Sequence, residues 1–319
     1  MTSNKAWRRA SIALATAATS LISLQASSHG VSVSSFSMAT PVENVNSSAA
    51  DGCPIEAPDG LSLFFASARS NGVPGSVGND IWVADRESLT SPWQPPKNLG
   101  EPVNSIANDF CPTPVYGRSL FFVSERLDNG TDTGPCGGGD IYLSRQSPAG
   151  GWSTPVMLEC AANGGPNFKG QERSPSLVET WFGTFLFYSS NGDTGGDQDI
   201  YMSRLGPDGK FGPGKVVKEL STEGEDIMPN VRQRDDGAFE IVFSSDRPTW
   251  GNGQPAKGKQ DVYISYAWWP TAKWSQPRNL GDAVNTGGIE QRSTLSADGK
   301  RLYFGRDGDI YMSRRSGRH

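Results

Sequence analysis

Short stretches in which apolar and polar residues alternate recur along the chain, a pattern typical of β-strands with one buried face. Residues 239–244 (Phe-Glu-Ile-Val-Phe-Ser) alternate in this way, and an Asp298-Gly299 pair precedes another such stretch at residues 301–304. An Asp-Gly pair between two apolar stretches indicates a β-hairpin. No stretch beyond residue 26 keeps a helical period. The pattern therefore predicts an all-β protein.

A second pattern repeats on a longer scale, with small variations: Asp-Ile-Tyr, one further residue, then Ser. Successive copies begin 60, 59, 62 and 48 residues apart, at Asp80, Asp140, Asp199, Asp261 and Asp309. A period in this range is typical of repeat architectures. Each interval accommodates four short strands, so we predict a five-bladed β-propeller of four-stranded blades.

The last repeat lacks room for its fourth strand, since only five residues follow Arg314. A counterpart lies near the N-terminus, where residues 36–47 match the outer-strand segment 274–286. We therefore predict that an N-terminal strand completes the last blade and closes the ring, which leaves only short, protected sheet edges. The predicted blades span residues 48–108, 109–170, 171–224, 225–288, and 289–315 together with 33–47.

Residues 1–28 have the build of a secretory signal peptide: a basic start at Lys5, Arg8 and Arg9, an uncharged run, and small residues at the exit. The alternative is an uncleaved membrane anchor, which needs an apolar run of about 18–20 residues. The run in this chain is shorter. We expect an exported protein, periplasmic or secreted. Its mature part, residues 29–319, is predicted to be a single monomeric domain without a membrane span.

Four cysteines fit export, because disulfides persist in oxidising compartments. Cys53 and Cys111 hold the same repeat position in neighbouring blades, while Cys136 and Cys160 lie in one repeat. Four cysteines allow three connectivities, and we favour these two pairs. The alternative is four free, buried thiols.

Charge and histidine usage exclude several function classes. Removing Lys5, Arg8 and Arg9 from the 29 Lys and Arg residues leaves 26 against 34 acidic residues, a net charge of −8. Nucleic acid is therefore not an expected partner. Histidine occurs only at His29 and His319, which leaves no histidine base for a nucleophile and no histidine-ligated metal. We expect no cofactor.

An acidic residue begins each predicted inner strand, three residues before Pro or Ser. These acids are Asp51, Asp109, Glu172, Asp226 and Glu290. In a closed ring they gather at one mouth of the central channel. An arginine ends the second strand in four of the blades, at Arg69, Arg126, Arg247 and Arg306. The simplest interpretation is one acid–arginine pair in each of these blades.

The third blade breaks this rule, because Asn191 replaces the arginine and leaves Glu172 without an in-register cation. On the same face, Trp250 stands in a loop where it can stack on a sugar or anchor a partner. The acidic loop at residues 193–199 is an alternative Ca²⁺ site, since Ca²⁺ takes oxygen ligands. Trp268 and Trp269 are predicted to lie on the opposite face.

Residues 296–304 (Ser-Ala-Asp-Gly-Lys-Arg-Leu-Tyr-Phe), followed by Asp309-Ile310-Tyr311, resemble the Pro-Asp-Gly repeat of TolB-type, WD-like β-propellers. The resemblance covers about residues 50–315. It departs from the motif at Ala297, where the family has Pro. It implies an exported propeller of the cell envelope that binds a ligand or a protein.

Two functions follow from these observations. The main expectation is a non-catalytic propeller that binds a cell-envelope protein or a carbohydrate at its carboxylate-lined mouth. Its expected binding residues are Asp51, Asp109, Glu172, Asp226, Glu290, Asn191 and Trp250. The alternative is a glycoside hydrolase that uses Asp51, Asp109 and Glu172, since inulinase- and arabinanase-type enzymes are also five-bladed propellers. Glycosidic cleavage needs two carboxylates in different environments. Here the acids all occupy the same position of the repeat, which favours binding over cleavage.

Overall fold

The computed structural model describes residues 35–116, 118–127, 135–193, 195–248 and 256–316. The predicted signal peptide and Trp250 lie outside these residues. The described residues form β-strands joined by turns, with one short 3-10 helix at Ala161–Asn163. The strands are β1 (Ser35–Phe36), β2 (Thr40–Pro41), β3 (Asp51–Glu56), β4 (Ser62–Ser67), β5 (Asp80–Asp85), β6 (Lys97–Asn98), β7 (Asp109–Val115), β8 (Ser119–Ser124), β9 (Asp140–Arg145), β10 (Val156–Met157), β11 (Glu172–Thr180), β12 (Gly183–Ser190), β13 (Asp199–Arg204), β14 (Lys215–Val216), β15 (Asp226–Gln233), β16 (Phe239–Ser245), β17 (Asp261–Ala267), β18 (Arg278–Asn279), β19 (Glu290–Leu295), β20 (Arg301–Arg306) and β21 (Asp309–Ser316).

These strands form five antiparallel sheets, the blades of a propeller. Blade 1 is β3–β6, blade 2 is β7–β10, blade 3 is β11–β14, blade 4 is β15–β18, and blade 5 is β19–β21 with β1 and β2. The innermost strands β3, β7, β11, β15 and β19 contact one another in this order, and β19 contacts β3. The ring is therefore closed, and the predicted five-bladed, all-β fold is confirmed.

The N-terminal segment closes the ring as predicted. In β1, Phe36 pairs with Arg315 of β21, and in β2, Thr40 pairs with Met312 of the same strand. Val45, which follows, is fully buried in a cluster with Trp93 of blade 1. The two ends of the chain therefore share one sheet, which covers the outer edge of β21.

Apolar side chains fill the spaces between neighbouring blades. Trp274 packs against Phe187 between blades 3 and 4, with their ring centroids 5.9 Å apart. Phe211 packs against Phe121 between blades 2 and 3, at 6.0 Å. These aromatic residues of the outer strands therefore help to hold neighbouring blades together.

Both favoured disulfides are present. Cys53–Cys111 joins the inner strands of blades 1 and 2, and Cys136–Cys160 lies within blade 2. They agree with the expectation of an exported protein, because disulfides persist in oxidising compartments. Among the described residues, no helix has the length and apolar character needed to cross a membrane.

Each inner strand contains an irregularity that the sequence did not predict. Its pairing with the second strand shifts register two residues after the acid. The residue at the shift has a positive φ of 48–57°, a left-handed conformation that is uncommon for residues other than glycine. We call these residues the bulge ring: Cys53, Cys111, Ser174, Met228 and Arg292. The bulges bring five side chains, of which Cys53 and Cys111 form a disulfide, to the same level of the channel.

Candidate functional site

The five acids that begin the inner strands are almost wholly buried. In four blades the carboxylate binds the arginine at the end of the second strand, as predicted. These pairs are Asp51–Arg69 (2.9 Å), Asp109–Arg126 (2.7 Å), Asp226–Arg247 (2.5 Å) and Glu290–Arg306 (2.8 Å). The arginines also donate to backbone carbonyls of the preceding loop, for example Arg247 to Leu220 at 2.9 Å. Each pair therefore ties the second strand to the loop that enters its blade.

The same acids accept further hydrogen bonds from the residue four positions earlier. Asp51 accepts from the backbone N–H and hydroxyl of Ser47 at 2.6 and 2.8 Å, and Asp109 accepts from Ser105 at 2.7 and 2.8 Å. Asp226 accepts in the same way from Thr222. The structure thus differs from the expected carboxylate-lined mouth. These side chains turn into their own blades because buried carboxylates need donors.

Glu172 is the exception among the five. Its Oε1 accepts from the Ser190 hydroxyl at 2.7 Å and from the Phe168 N–H at 3.2 Å, while Oε2 has no hydrogen-bond partner in the described structure. Burial raises the pKa of Glu172 to about 8, and the negative charges of Asp140 and Asp193 contribute. Glu172 is therefore a protonated acid at neutral pH.

Asn191 stands where the other blades have arginine, but its side chain does not contact Glu172 in the way an arginine would. Its Oδ1 accepts from the Gln171 N–H at 2.7 Å and so holds the residue that precedes Glu172. As a result, no Lys or Arg of the described residues forms an ion pair with the Glu172 carboxyl. The asparagine at this position had already distinguished the third blade from the other four in the sequence.

A second buried acid beside Glu172 was missed by sequence reasoning. Asp140 begins the third strand of blade 2, and Gly139 pairs with Gln171 in a parallel bridge, with the Glu172 N–H donating to the Gly139 carbonyl at 2.9 Å. Burial raises the pKa of Asp140 as well. Asp140 begins one copy of the Asp-Ile-Tyr motif, which we interpreted only as a structural repeat and not as part of a site.

A cavity of about 350 Å³ opens at the acid-bearing mouth. Of the five acids, Asp51 lines it, together with the bulge-ring residues Cys53, Met228 and Arg292. A second cavity, of about 370 Å³, opens at the other end of the channel and is lined by Thr113 among others. The ring of side chains at the bulges lies between the two cavities.

The remaining predicted features lie elsewhere. Trp268 and Trp269 follow β17, whose first residue is at the mouth, so they lie on the opposite face as predicted. They are exposed, and Trp269 makes an edge-to-face contact with Trp181 at 6.4 Å. Within the described part of the chain, no group of three or more His, Cys, Asp or Glu side chains is placed to hold a metal ion.

No protein-family model matches the chain, and no curated protein matches it by sequence. Solved structures do match. The α-L-arabinofuranosidase of Podospora anserina, in complex with cellotriose, aligns over 89% of this chain and 97% of its own, with a TM-score of 0.56 and 12% identity. The endo-arabinase of Bacteroides thetaiotaomicron aligns over 89% and 98%, with a TM-score of 0.54 and 16% identity. A levansucrase variant of B. megaterium aligns over 91% and 93%, with a TM-score of 0.55 and 10% identity.

The chain shares the fold of these carbohydrate-active enzymes. The expectation of a non-catalytic binding propeller is wrong on this comparison, because the solved propellers that it resembles include arabinanases, a xylosidase and other glycoside hydrolases. The glycoside hydrolase alternative is the better supported of the two. The TolB-type resemblance is confirmed only as far as the five-bladed propeller, since these structures are not TolB-type proteins.

Proposed function

We propose that the protein is a glycoside hydrolase in which Glu172 is the proton donor. One observation carries the proposal: Glu172 alone among the five inner-strand acids lacks an arginine, and its pKa is raised to about 8. Glycosidic cleavage needs one carboxyl group that stays protonated until it donates to the leaving oxygen. Burial keeps the Glu172 carboxyl group protonated, and Glu172 is the acid that the sequence distinguished from the other four.

The second carboxylate of the reaction is Asp51 or Asp109. Both are ion-paired with arginine, so their environment is opposite to that of Glu172. Two carboxyl groups held in different environments are the arrangement that glycoside hydrolysis requires, as base or nucleophile and as acid. Asp51 lines the mouth cavity, and Asp109 begins the inner strand next to that of Glu172. The proposal includes no cofactor.

A sugar reaches Glu172 only after a local rearrangement, because the carboxyl group has no exposed surface. The covering segment is short. The Phe168 N–H bonds Glu172, and the backbone N–H groups of Lys169 and Gln171 bond Asp193 and Asn191 in the next loop. Catalytic geometry is often completed only when substrate binds, so burial in the free protein is compatible with this role.

The names of the structural neighbours suggest substrates. They include enzymes for arabinan and for xylan, together with a levansucrase. We therefore propose a plant-type pentose polymer or a fructan as substrate. The chain should release reducing sugar from arabinan, arabinoxylan, xylan or levan.

The variant Glu172→Gln tests the proton donor. Glutamine keeps the shape and the neutral state of the protonated acid but does not donate an acidic proton, so kcat should fall about 10²–10⁴-fold while folding is retained. Reducing-sugar release is the measurement. Asp51→Asn and Asp109→Asn should identify the second carboxylate by a loss of similar size.

Glu240→Gln is the matched control. Glu240 is also a buried, hydrogen-bonded acid, held by Arg232 at 2.6 Å and Arg315 at 2.9 Å in the body of blade 4. Its loss should lower stability without lowering the kcat of the folded fraction. If the folded wild type hydrolyses none of the four polymers, the hydrolase proposal fails. Turnover that survives Glu172→Gln would exclude Glu172 as the donor.

A further inference from the structure

Arg292 is the bulge-ring residue of blade 5, and its side chain crosses the channel. Its Nη2 donates to the Pro112 carbonyl at 3.1 Å and to the Thr113 hydroxyl at 2.9 Å, both in the inner strand of blade 2. The whole residue is buried. The left-handed backbone at Arg292, with φ of 48°, directs this side chain into the channel instead of along the strand.

This cation has no counter-ion among the described residues. A guanidinium has five N–H donors, and the three on Nε and Nη1 have no acceptor here. The nearby arginines differ, because Arg69 and Arg306 are each paired with an acid of the ring. Burial lowers the pKa of Arg292 to about 9, so the side chain still carries its charge at neutral pH. A buried charge is costly unless an opposite charge compensates it.

The mouth cavity is next to Arg292, although the side chain of this residue is wholly buried. Arg292 lines it together with the apolar side chains of Phe110 and Met228. The acids at its wall are already engaged: Asp51 binds Arg69, and Asp307 is exposed at the rim, where solvent screens its charge. The volume of about 350 Å³ is within the range of ligand pockets. The cavity therefore has one uncompensated positive charge buried beneath largely apolar walls, and a ligand reaches the guanidinium only after neighbouring side chains move.

We propose that this cavity is an anion subsite, in which Arg292 binds the carboxylate of an acidic sugar unit of the substrate. The sugar part of this inference rests on the proposed hydrolase function, whereas the anion part rests on Arg292 and the cavity. Binding gives the unoccupied donors on Nε and Nη1 a charged acceptor, and charge-assisted hydrogen bonds are the stronger kind. The substrate is then a glycan that carries uronic acid units beside its neutral sugars.

Isothermal titration of the whole protein with D-glucuronate, with its neutral methyl ester and with inorganic phosphate tests the subsite at low ionic strength. We expect glucuronate to bind at least tenfold more tightly than the ester, because only the free acid carries the charge. Arg292→Met should abolish this preference, and Arg292→Lys should retain part of it. Arg314→Met, which removes an exposed arginine of β21, is the control and should retain the full preference.

The wild-type comparison of acid and ester does not depend on a variant that folds. Equal binding of the two, or a preference that persists in Arg292→Met, would overturn the anion subsite. Phosphate binding as tightly as glucuronate and competing with it would overturn the acidic-sugar assignment in favour of a free oxyanion. Hydrolysis of arabinan without any glucuronate binding refutes only this inference, whereas glucuronate binding without hydrolysis of any glycan refutes only the proposed hydrolase.

Discussion

At the residue scale, the chemistry of this propeller depends on how each inner-strand acid is compensated. Asp226 has an arginine and two donors from Thr222, so its oxygens are satisfied. Glu172 has Asn191 in place of the arginine, and one of its oxygens has no partner in the described structure. A single substitution within a repeat thus converts a structural acid into a protonated one. Comparing the blades by sequence located this difference.

The raised pKa of Glu172 predicts how stability depends on pH. The folded pKa of about 8 lies above the ordinary value of 4.5. Between these values the folded state keeps a proton that the unfolded state releases. The free energy of unfolding should therefore be highest below about pH 4.5 with respect to this group, and should fall by up to about 1.4 kcal/mol per pH unit until about pH 8.

Urea unfolding of the wild type and of Glu172→Gln between pH 5 and pH 8 measures this slope. The variant should lose it, because glutamine does not titrate. Glu290→Gln occupies the same ring position but keeps Glu172, so it should retain the wild-type slope. Parallel pH profiles for wild type and Glu172→Gln would show that Glu172 is ionised at neutral pH.

At the element scale, the decisive feature is the short N-terminal strand that completes blade 5. Only two residues of β1 and two of β2 pair with β21. Such short ladders contribute little alone, so apolar contacts must hold the segment in place. Phe36 supplies them by packing into the cluster between blades 4 and 5, with the Arg315 guanidinium 5.0 Å above its ring.

Phe36→Ala should therefore destabilise the whole fold and not only the N-terminus. Removing a buried phenylalanine costs about 3–5 kcal/mol of unfolding free energy. Met38→Ala is the control in the same segment, because Met38 is 71% exposed and its removal should change stability by less than about 0.5 kcal/mol. Chemical denaturation measures both. Equal effects would indicate that the N-terminal segment is not part of the closed ring.

At the scale of the whole molecule, cross-links between blades hold the ring together. Cys53–Cys111 joins blades 1 and 2. Glu56 of blade 1 binds Arg301 of blade 5 through two hydrogen bonds of 2.8 and 3.0 Å. These contacts join residues far apart in sequence. Blade 1 is therefore fastened to both of its neighbours.

Replacing Cys53 and Cys111 by serine should lower the free energy of unfolding by about 2–4 kcal/mol. The loop between them, with a separation of 58 residues, is longer than that of Cys136–Cys160, with a separation of 24. Loop-closure entropy predicts that the first pair contributes roughly 0.8 kcal/mol more than the second. Denaturation of the two double variants measures the difference. A larger loss for the pair within blade 2 would contradict this account.

Much of the fold was predictable because it depends on local, repeated patterns. The alternation of residues and the spacing of Asp80, Asp140 and the later copies predicted strands and blades. The unfinished last repeat predicted closure by Phe36 and its neighbours. Cysteines at equivalent repeat positions predicted the disulfide between blades. These features are read within one repeat or by comparing one repeat with the next.

The properties of the candidate site depended on tertiary structure. The pKa of Glu172 follows from burial beside Asp140 of another blade, and the position of Arg292 follows from a left-handed bulge that no local motif announced. Burial and uncompensated charge arise only where distant strands meet. The sequence by itself therefore determined the ring and the place of its exceptional acid. The tertiary structure decided that this acid is protonated and that Arg292 has no counter-ion among the described residues, because both depend on what surrounds a side chain in space.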